Sequence, residues 1–356
     1  MRVNFRAKVI IRIILAYILL AAPFPFAPDS AAETESDLVI PVMVGQTGAA
    51  SVFGKNELDG YTLAVEEWNR KGGVNGRAVK LKVEDTRTDQ KQIITSFQWF
   101  AMQGYPVILG PTWLDGFPAV IPLAQRKGVL LVTPSAAVEA FSENDRKWAV
   151  SFYHNSTIET QTLLNFLKSK GMHRIALIYE EEPFSEMMRK LILKQATLIA
   201  DEGVQGGTAD FYTLLNRLKH KRPDVLIVYV WNETSLSSLL KQIQIVIPSI
   251  QLATVHDGES WIKHPLFKPY IKKLIHTKFI VADSAFAQRF KKRFGYEPIL
   301  TASNAYDAMN GVLSALQSGA ATGRQIRDYL MSHELDTATF GKFKFTKDAS
   351  VPSKVR

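Results

Sequence analysis

The sequence predicts an α/β protein with two similar halves, each built around a parallel, doubly wound sheet that carries helices on both faces. Three observations predict this fold class. About 324 residues remain after the N-terminal segment, which is more than one hydrophobic core usually holds. Apolar strands alternate with helical segments along these residues, and the alternation starts again near residue 157. We therefore expect two consecutive α/β lobes.

Residues 1–32 have the composition of a secretory signal peptide. A basic start is followed by an apolar run and then by S-A-A, which predicts cleavage near Glu33. The alternative is a retained membrane anchor, but Arg12 interrupts the run. The unbroken apolar part at 13–22 is also shorter than the roughly 20 residues that a span requires. We expect a cleaved signal peptide and no other membrane-spanning stretch.

The composition limits the cellular compartments and the classes of binding partner that fit this protein. The chain has no cysteine, which in an exported protein is typical of the bacterial periplasm and leaves no thiol for lipid attachment. Residues 1–32 hold four Lys/Arg and one acid, so their removal lowers the formal net charge from +9 to +6. The remaining basic residues are scattered and do not resemble a nucleic-acid-binding surface. We expect a periplasmic protein with no nucleic-acid partner.

The first elements after the signal peptide form a β-α-β unit. The strand L-V-I-P-V-M-V begins at Leu38. Apolar residues at helical spacing follow it: Leu58, Tyr61, Val65 and Trp68. The G-G pair at 72–73 ends this helix, N-G at 75–76 makes a tight turn, and A-V-K-L-K-V-E-D forms the second strand.

The same alternation continues to the end of the second half. In the first half we predict a helix near 89–103 with Asp89 as its N-cap, the strand Y-P-V-I-L-G, a helix ending near Lys127, and the strand V-L-L-V-T-P. In the second half we predict a helix near 157–170, the strand R-I-A-L-I-Y, helices at 185–201 and 210–219, the strand D-V-L-I-V-Y-V, a helix at 234–246 and the strand Q-L-A-T-V.

Ligands of open α/β sheets bind outside the carboxyl ends of the strands, so the loops at those ends are the candidate site. They hold no G-x-S-x-G, phosphate-binding, G-x-G-x-x-G or H-E-x-x-H motif, and the seven histidines show no metal-ligand spacing. We predict no catalytic residue, no metal and no cofactor. His256, beside Asp257 in a candidate loop, is the one histidine that merits inspection.

Several motifs carry a resemblance to a known family: G-Y-T-L-A-V-E-E-W-N, G-G-V-N-G-R, V-E-D-T-R-T-D, V-I-L-G-P, V-T-P-S-A-A, N-A-Y-D-A-M and F-G-K-F-K-F, in order between about residues 38 and 346. The chain resembles the periplasmic branched-chain amino-acid-binding proteins, which are type I substrate-binding proteins of ABC importers. The resemblance implies two Rossmann-like lobes joined by three chain crossings, near 153–157, 281–285 and 338–341.

The resemblance also implies the lobe boundaries. Lobe 1 would comprise 33–154 and 283–339, and lobe 2 would comprise 155–282 and 340–356. Helical segments at 285–317 and 322–333 would return to lobe 1. Because the family pattern continues into further strands and this chain stops at Arg356, we expect lobe 2 to lack an edge strand.

The family's ligand contacts carry over position by position. In lobe 1 they imply Phe53, Leu114 where the family has a serine, the backbone of Ser135, and Ala137 where the family has a threonine. In lobe 2 they imply Phe184, Asn232, and Asp257 as the acid that receives an ammonium group. Thr112, Trp113 and Ala136 complete the predicted ligand-binding set.

The function implied is that of a monomeric solute-binding protein. It would capture a small molecule between two closing lobes and deliver it to an ABC permease in the inner membrane. An amino acid requires partners for both charges, whereas a small carboxylate with an aromatic or aliphatic body would suit the aromatic loops: Phe53, Trp113, Phe117, Phe184, Trp231 and Trp261. A module that signals to a membrane receptor or kinase is the alternative, and an α/β hydrolase is the least favoured.

Overall fold

The computed structural model describes residues 37–281 and 283–356, which belong to one compact unit, Asp37–Arg356. The predicted signal peptide lies outside the described residues. In the part of the chain that is described, no helix combines the length and the apolar character that crossing a membrane requires.

The first lobe contains a five-stranded sheet. Its elements are β1 (Leu38–Val44), α1 (Ser51–Arg70), β2 (Val79–Asp85), α2 (Gln90–Met102), β3 (Val107–Leu109), α3 (Phe117–Lys127), β4 (Leu130–Thr133) and β5 (Ala149–Ser151). The strand order is β2-β1-β3-β4-β5, and every neighbouring pair is parallel. Asp89 caps α2 as predicted, because its side chain accepts a hydrogen bond from the Gln92 N–H.

The second lobe repeats this architecture. Its elements are α4 (Ser156–Ser169), β6 (Ile175–Glu180), α5 (Pro183–Leu193), β7 (Leu198–Val204), α6 (Tyr212–Lys221), β8 (Val225–Tyr229), α7 (Glu233–Val246), β9 (Gln251–Thr254), α8 (Gly258–Trp261) and β10 (Leu274–His276). The order is β10-β9-β8-β6-β7, again with parallel pairs. Both sheets therefore have five strands, and the second is not shorter than the first.

The predicted helix at 185–201 is wrong in its second half. The helix α5 ends at Leu193, and β7 follows it as the edge strand of the second sheet. The acids of β7 face basic residues on neighbouring helices: Asp201 pairs with Arg189, and Glu202 pairs with Arg217. Because an edge strand exposes much of its surface and carries such charges, it lacks the apolar pattern that marks the central strands.

Three helices that follow the second sheet pack against the first lobe. They are α9 (Phe286–Phe294), α10 (Leu300–Gln317) and α11 (Gly323–Ser332). The close packing of α10 on α1 depends on Gly60, since a Cβ there would lie 2.2 Å from the Ala302 carbonyl oxygen. A small antiparallel pair follows, β11 (Leu335–Thr337) and β12 (Gly341–Phe343).

The C-terminal segment differs from the expected assignment of 340–356 to lobe 2. Phe343, Phe345 and Val351 are buried in the same hydrophobic cluster as β1 and α10, so these residues belong to the first lobe's core. Only the last residues leave it: the Ile280 N–H bonds to the Lys354 carbonyl, and the Asn155 N–H bonds to the Ser353 hydroxyl. Residues 353 and 354 therefore lie beside residues 155 and 280, near the places where the first two crossings are expected.

Candidate functional site

Residues that follow the carboxyl ends of both sheets contact each other where the two lobes meet, and we call the region between these strand ends the cleft. The Tyr153 hydroxyl lies 3.4 Å from His256 Nε2, and the Tyr153 ring is 6.4 Å from the Phe184 ring. The Thr157 N–H donates to Glu139 Oε1 at 3.0 Å. These contacts join the loop after β4 and the first crossing to the loops of the second lobe.

Two predicted ligand residues of the first lobe, Thr112 and Ser135, hydrogen-bond inside their own lobe. The Thr112 hydroxyl donates to Glu57 Oε2 at 2.7 Å and accepts from the Gly45 N–H at 3.1 Å. The Ser135 hydroxyl accepts from the Trp113 N–H at 2.9 Å. Both side chains are buried. They hold the loops after β3 and β4 in fixed positions at the cleft floor.

Glu57 is the centre of this arrangement, and sequence reasoning missed it. It lies on α1 and is fully buried. Burial raises the pKa of the Glu57 carboxyl to about 7, against the hydrogen bonds from Ser135 and Thr112, which lower it. One turn further along α1, burial and the Glu57 charge raise the pKa of the Tyr61 hydroxyl. No local motif marks Glu57, since its partner Thr112 is 55 residues away.

Phe53 and Trp113 form the aromatic part of the first lobe's wall. Their rings are 5.2 Å apart in an edge-to-face arrangement, and both residues are partly exposed. Trp113 has a φ of 66°, in the left-handed region that a tryptophan rarely adopts. The hydrogen bond from its N–H to Ser135 holds this backbone conformation, which turns the indole toward Phe53.

The apolar members of the predicted set are enclosed by protein. Leu114 and Ala136 are buried in the cluster between the first sheet and helices α2 and α3. Ala137 is buried in a cluster with Tyr153 and residues of the second lobe. Their side chains thus pack against protein, and the backbone of these loops is what remains to face the cleft.

The second lobe contributes an aromatic group around Trp231. Its ring lies 5.9 Å from Phe184 and 6.1 Å from Trp261, and its indole N–H donates to the Ser185 hydroxyl at 2.7 Å. Phe184 and Trp231 are partly exposed, whereas Trp261 is buried in the lobe's core, as Phe117 is in the first lobe. Four of the six aromatic residues predicted in these loops are therefore accessible.

Asn232 serves the structure of its own loop. Its side chain accepts a hydrogen bond from the Ser235 N–H and so caps α7. The Glu180 carboxylate accepts from the N–H groups of Trp231 and Asn232, both at 2.8 Å. The Asn232 side chain and the Glu180 carboxylate together fix the loop after β8.

Asp257 lies at the cleft end of β9, next to a network of charged residues. Its carboxylate is 3.4 Å from His256 Nε2, and burial raises the pKa of Asp257. Burial opposes protonation of His256, but the Asp257 and Glu159 carboxylates outweigh it and raise the pKa of His256 to about 9. Burial would raise the pKa of Glu159, but His256 and His154 hold it well below its ordinary value.

His154 completes this network from the first crossing. Burial lowers the pKa of His154 to about 4, with the His256 charge adding to the effect. His154, Glu159 and His256 offer ligand atoms that all lie within 4.8 Å of one another. The prediction that the histidines show no metal-ligand arrangement was made from local spacing, and the fold brings these three together from separate elements. Only His256 carried a sequence signal.

Most loops at the strand ends contain no basic residue. The loops after β1, β3, β6, β8 and β9 contain no Lys or Arg, whereas Arg87 lies in the loop after β2, and Arg146 and Lys147 lie in the loop after β4. Burial raises the pKa of Asp115 in the first lobe. Burial also raises the pKa of Glu182 in the second lobe, and the Asp115 charge adds to that rise, so the two carboxylates lie near enough to repel each other.

Two parallel five-stranded lobes that meet at a hinge, with an aromatic and acid-lined cleft between their strand ends, define the class of two-lobed binding proteins. A family profile identifies the particular family. The chain belongs to the family described as "Periplasmic binding protein", whose profile matches residues 37–355.

Similar proteins agree with this assignment. The chain is 23% identical over 230 residues to the Leu/Ile/Val-binding protein of Escherichia coli (strain K12), covering 63% of this chain and 62% of that protein. It is 26% identical over 221 residues to the Leu/Ile/Val-binding protein homolog 1 of Brucella abortus (strain 2308), covering 59% of this chain and 57% of that protein. The matched stretch thus spans less than two thirds of the length of these relatives.

Solved structures share the fold. A branched-chain amino acid transporter substrate binding protein from Streptococcus pneumoniae, in complex with isoleucine, superposes with a TM-score of 0.77 at 19% identity, covering 90% of this chain and 94% of that chain. A solute binding protein of an ABC transporter from Rhodopseudomonas palustris BisB5, in complex with 3,4-dihydroxy benzoic acid, gives 0.76 at 16% identity, covering 90% and 92%. The predicted resemblance and fold class are confirmed.

Proposed function

We propose that this protein is a periplasmic solute-binding protein that captures a small amino acid between its lobes and delivers it to an ABC permease, without altering it chemically. The family and the two-lobed fold support capture in the cleft. The observation that carries the choice of ligand is Asp257, a partly exposed carboxylate at the cleft end of β9, in a set of loops of which most contain no basic residue.

The acidic cleft favours a ligand that carries a cationic group. An ammonium group placed between Asp257 and the facing acids Asp115 and Glu182 gains favourable electrostatic energy. An acid without an amine would instead bring an anion to carboxylates. The basic residues in these loops are Arg87, Arg146 and Lys147, and Arg146 donates a hydrogen bond to the Val138 carbonyl of its own loop. The electrostatics therefore support an amino acid over an amine-free acid.

The aromatic walls support an apolar side chain on that ligand. In this proposal Phe53 and Trp113 from the first lobe and Phe184 from the second enclose the ligand's body, with Asp257 binding its ammonium group. The ligand carboxylate binds backbone N–H groups of the first-lobe loops. Those loops are held in place by the buried residues of the predicted set: Thr112, Leu114, Ser135, Ala136 and Ala137. Asn232 positions the loop after β8.

Capture then follows from lobe closure. A ligand that contacts both walls binds the closed form more tightly than the open form, and a preference of about 5.5 kcal/mol converts a 1:99 population into 99:1. The closed form presents an outer surface that a permease can distinguish from the open one.

Three probes that share the isobutyl side chain of leucine test the ligand class: leucine, 4-methylpentanoate, which lacks the amine, and 3-methylbutylamine, which lacks the carboxylate. We expect leucine to raise the thermal unfolding temperature, since saturation at 100 times the Kd adds about 2.7 kcal/mol. The amine is expected to give a smaller shift and the acid none. A shift with the acid alone would contradict the amino-acid assignment. Recovery of unchanged leucine after incubation is expected, and its conversion to a product would refute simple binding.

Delivery is tested separately in cells. Uptake of labelled leucine is expected to fall when the gene is deleted and to return when it is restored. If leucine binds the purified protein and uptake is unaffected by the deletion, the protein reports its ligand to a receptor and does not supply a permease.

A further inference from the structure

We propose that His154, Glu159 and His256 form a binding site for a divalent transition-metal ion, with Zn²⁺ as the cation that fits best. The three side chains come from the first crossing, from α4 and from the loop after β9. Their ligand atoms lie within 4.8 Å of one another, and all three side chains are buried or nearly so.

Glu159 presents one free oxygen to this site. Its Oε1 accepts hydrogen bonds from the His256 N–H at 3.0 Å and from the Thr277 hydroxyl, and it lies 3.0 Å from His256 Nδ1. Its Oε2 is buried and has no hydrogen-bond partner. The carboxylate is thus fixed through one oxygen while the other is left to accept a cation.

His154 presents a ring whose nitrogens are both without a hydrogen-bond partner, although its side chain is only 1% exposed. Its Nε2 lies 3.3 Å from Glu159 Oε2, outside the geometry of a hydrogen bond. Ring contacts with Tyr153 and Phe279, each with centroids 3.7 Å apart, hold the imidazole in place. Leaving buried polar atoms unpaired is unfavourable, and a metal ion at Nε2 would remove part of that cost.

Both ring nitrogens of His256 lie beside carboxylates. Nδ1 hydrogen-bonds to Glu159 Oε1 at 3.0 Å, so this nitrogen would give up its proton when the ion binds. Nε2 lies 3.4 Å from the Asp257 carboxylate. Histidines that bind metals usually donate their other N–H to a carboxylate, which fixes the ring and strengthens the ligand. Asp257 occupies that supporting position.

The separations suit a small tetrahedral ion. Zinc binds nitrogen and carboxylate oxygen at about 2.0–2.2 Å, so neighbouring ligands of a tetrahedral site lie about 3.3 Å apart. Glu159 Oε2 lies 3.3 Å from His154 Nε2, and the other oxygen, Oε1, lies 3.0 Å from His256 Nδ1. The ligand atoms of the three side chains all lie within 4.8 Å of one another, which is close to the spacing a tetrahedral ion requires. Two imidazoles and one carboxylate are a ligand set that zinc accepts, with a fourth position left for water or another ligand.

A metal ion bound at this site would link the hinge to the cleft. The metal would tie the first crossing, through His154, to the loop after β9, through His256. With the imidazole fixed by the metal, His256 Nε2, which lies 3.4 Å from the Asp257 carboxylate, would orient that carboxylate. The metal site itself does not depend on which solute the cleft binds.

Isothermal titration of Zn²⁺ into the full chain, purified and stripped with EDTA, tests the proposal without any solute. We expect one equivalent to bind, and Co²⁺ in its place to give the visible absorption of a tetrahedral site. His154→Phe, which keeps the ring contacts, and Glu159→Gln, which keeps the shape, are each expected to weaken binding by more than about 100-fold. Asp257→Asn, which removes only the support, is expected to weaken it by about 10- to 100-fold.

His220→Gln, at an exposed histidine on α6, is the matched control and is expected to bind Zn²⁺ as the natural protein does. X-ray absorption of the zinc-loaded natural protein does not depend on any variant folding. We expect it to show two imidazoles and one carboxylate around the ion. Absence of saturable binding, unchanged affinity in His154→Phe and Glu159→Gln, or a zinc environment without imidazole would each overturn the proposal.

Discussion

The two lobes share one architecture but use their polar side chains in different ways. In the first lobe, Thr112 and Ser135 are turned inward to Glu57 and to the backbone, so the cleft floor is held from within. In the second lobe, Glu182 caps α5 by accepting hydrogen bonds from the Phe184 and Ser185 N–H groups, whereas Asp257, after β9, is a partly exposed carboxylate. Buried hydrogen bonds therefore fix the loops of the first lobe, and the second lobe holds the carboxylate by which we propose a ligand is selected.

Among the tests of this comparison, removal of the Asp257 charge is expected to have the largest effect. Asp257→Asn is expected to weaken leucine binding by about 3 to 4 kcal/mol, or roughly 200- to 1000-fold, because the buried ammonium group loses its counter-charge. Titration calorimetry measures the change. Glu259→Gln, two residues along and paired with Lys263 and Lys278 at the surface, is the control and should change the affinity little. Equal losses in both variants would contradict the assignment.

Replacing the buried Glu57 of the first lobe with glutamine should change the free energy of unfolding in a pH-dependent way. Burial raises the pKa of Glu57 from 4.5 to about 7, so its stabilising contribution is fully present below pH 4.5 and is lost as the pH rises through 7. The loss amounts to about 3 kcal/mol of unfolding free energy. Because glutamine does not titrate, the free energy of unfolding of Glu57→Gln should rise relative to that of the natural protein by that amount between pH 4.5 and 8.

Urea unfolding at several pH values measures this difference. Burial also raises the pKa of Asp307 to about 7, but that group is present in both proteins and its effect cancels in the comparison. Unfolding curves that keep a constant separation across the whole pH range would show that Glu57 does not titrate in this window.

The aromatic walls should contribute less than the charge. Trp113→Leu is expected to weaken leucine binding by about 1 to 2 kcal/mol, since the ligand loses contact with part of the indole. Trp99→Leu is the matched control, because Trp99 lies on α2 and is 38% exposed. Fluorescence titration can follow both variants, and an affinity that responds to Trp99 but not to Trp113 would place the ligand elsewhere.

The smallest effect is expected at Asn232, which caps a helix of the second lobe. Asn232→Ala should lower the unfolding free energy by about 1 kcal/mol, whereas Asn232→Asp keeps the cap and should not. Leucine affinity is expected to stay within about twofold in both variants. A loss of affinity greater than tenfold in Asn232→Asp would show that the amide itself contacts the ligand.

Sequence patterns predicted the central strands because strands buried on both faces are continuous apolar runs, such as I-A-L-I-Y in β6 and V-L-I-V-Y in β8. They failed at β7, whose exposed edge carries charges. In the site, the family resemblance pointed to Asp257. Glu57 and Glu159 could not be found this way, because their partners Thr112 and His256 lie 55 and 97 residues away, a separation that only the folded chain closes.

The neighbouring carboxylates of Asp115 and Glu182 have a consequence for the protein without its ligand. The two ionised groups repel each other, and in the proposed complex the ligand's ammonium group offsets that repulsion. Dissolved salt screens such a force over about 8 Å at physiological ionic strength. The empty lobes should therefore lie further apart in dilute buffer than in concentrated salt, a difference that small-angle scattering can measure.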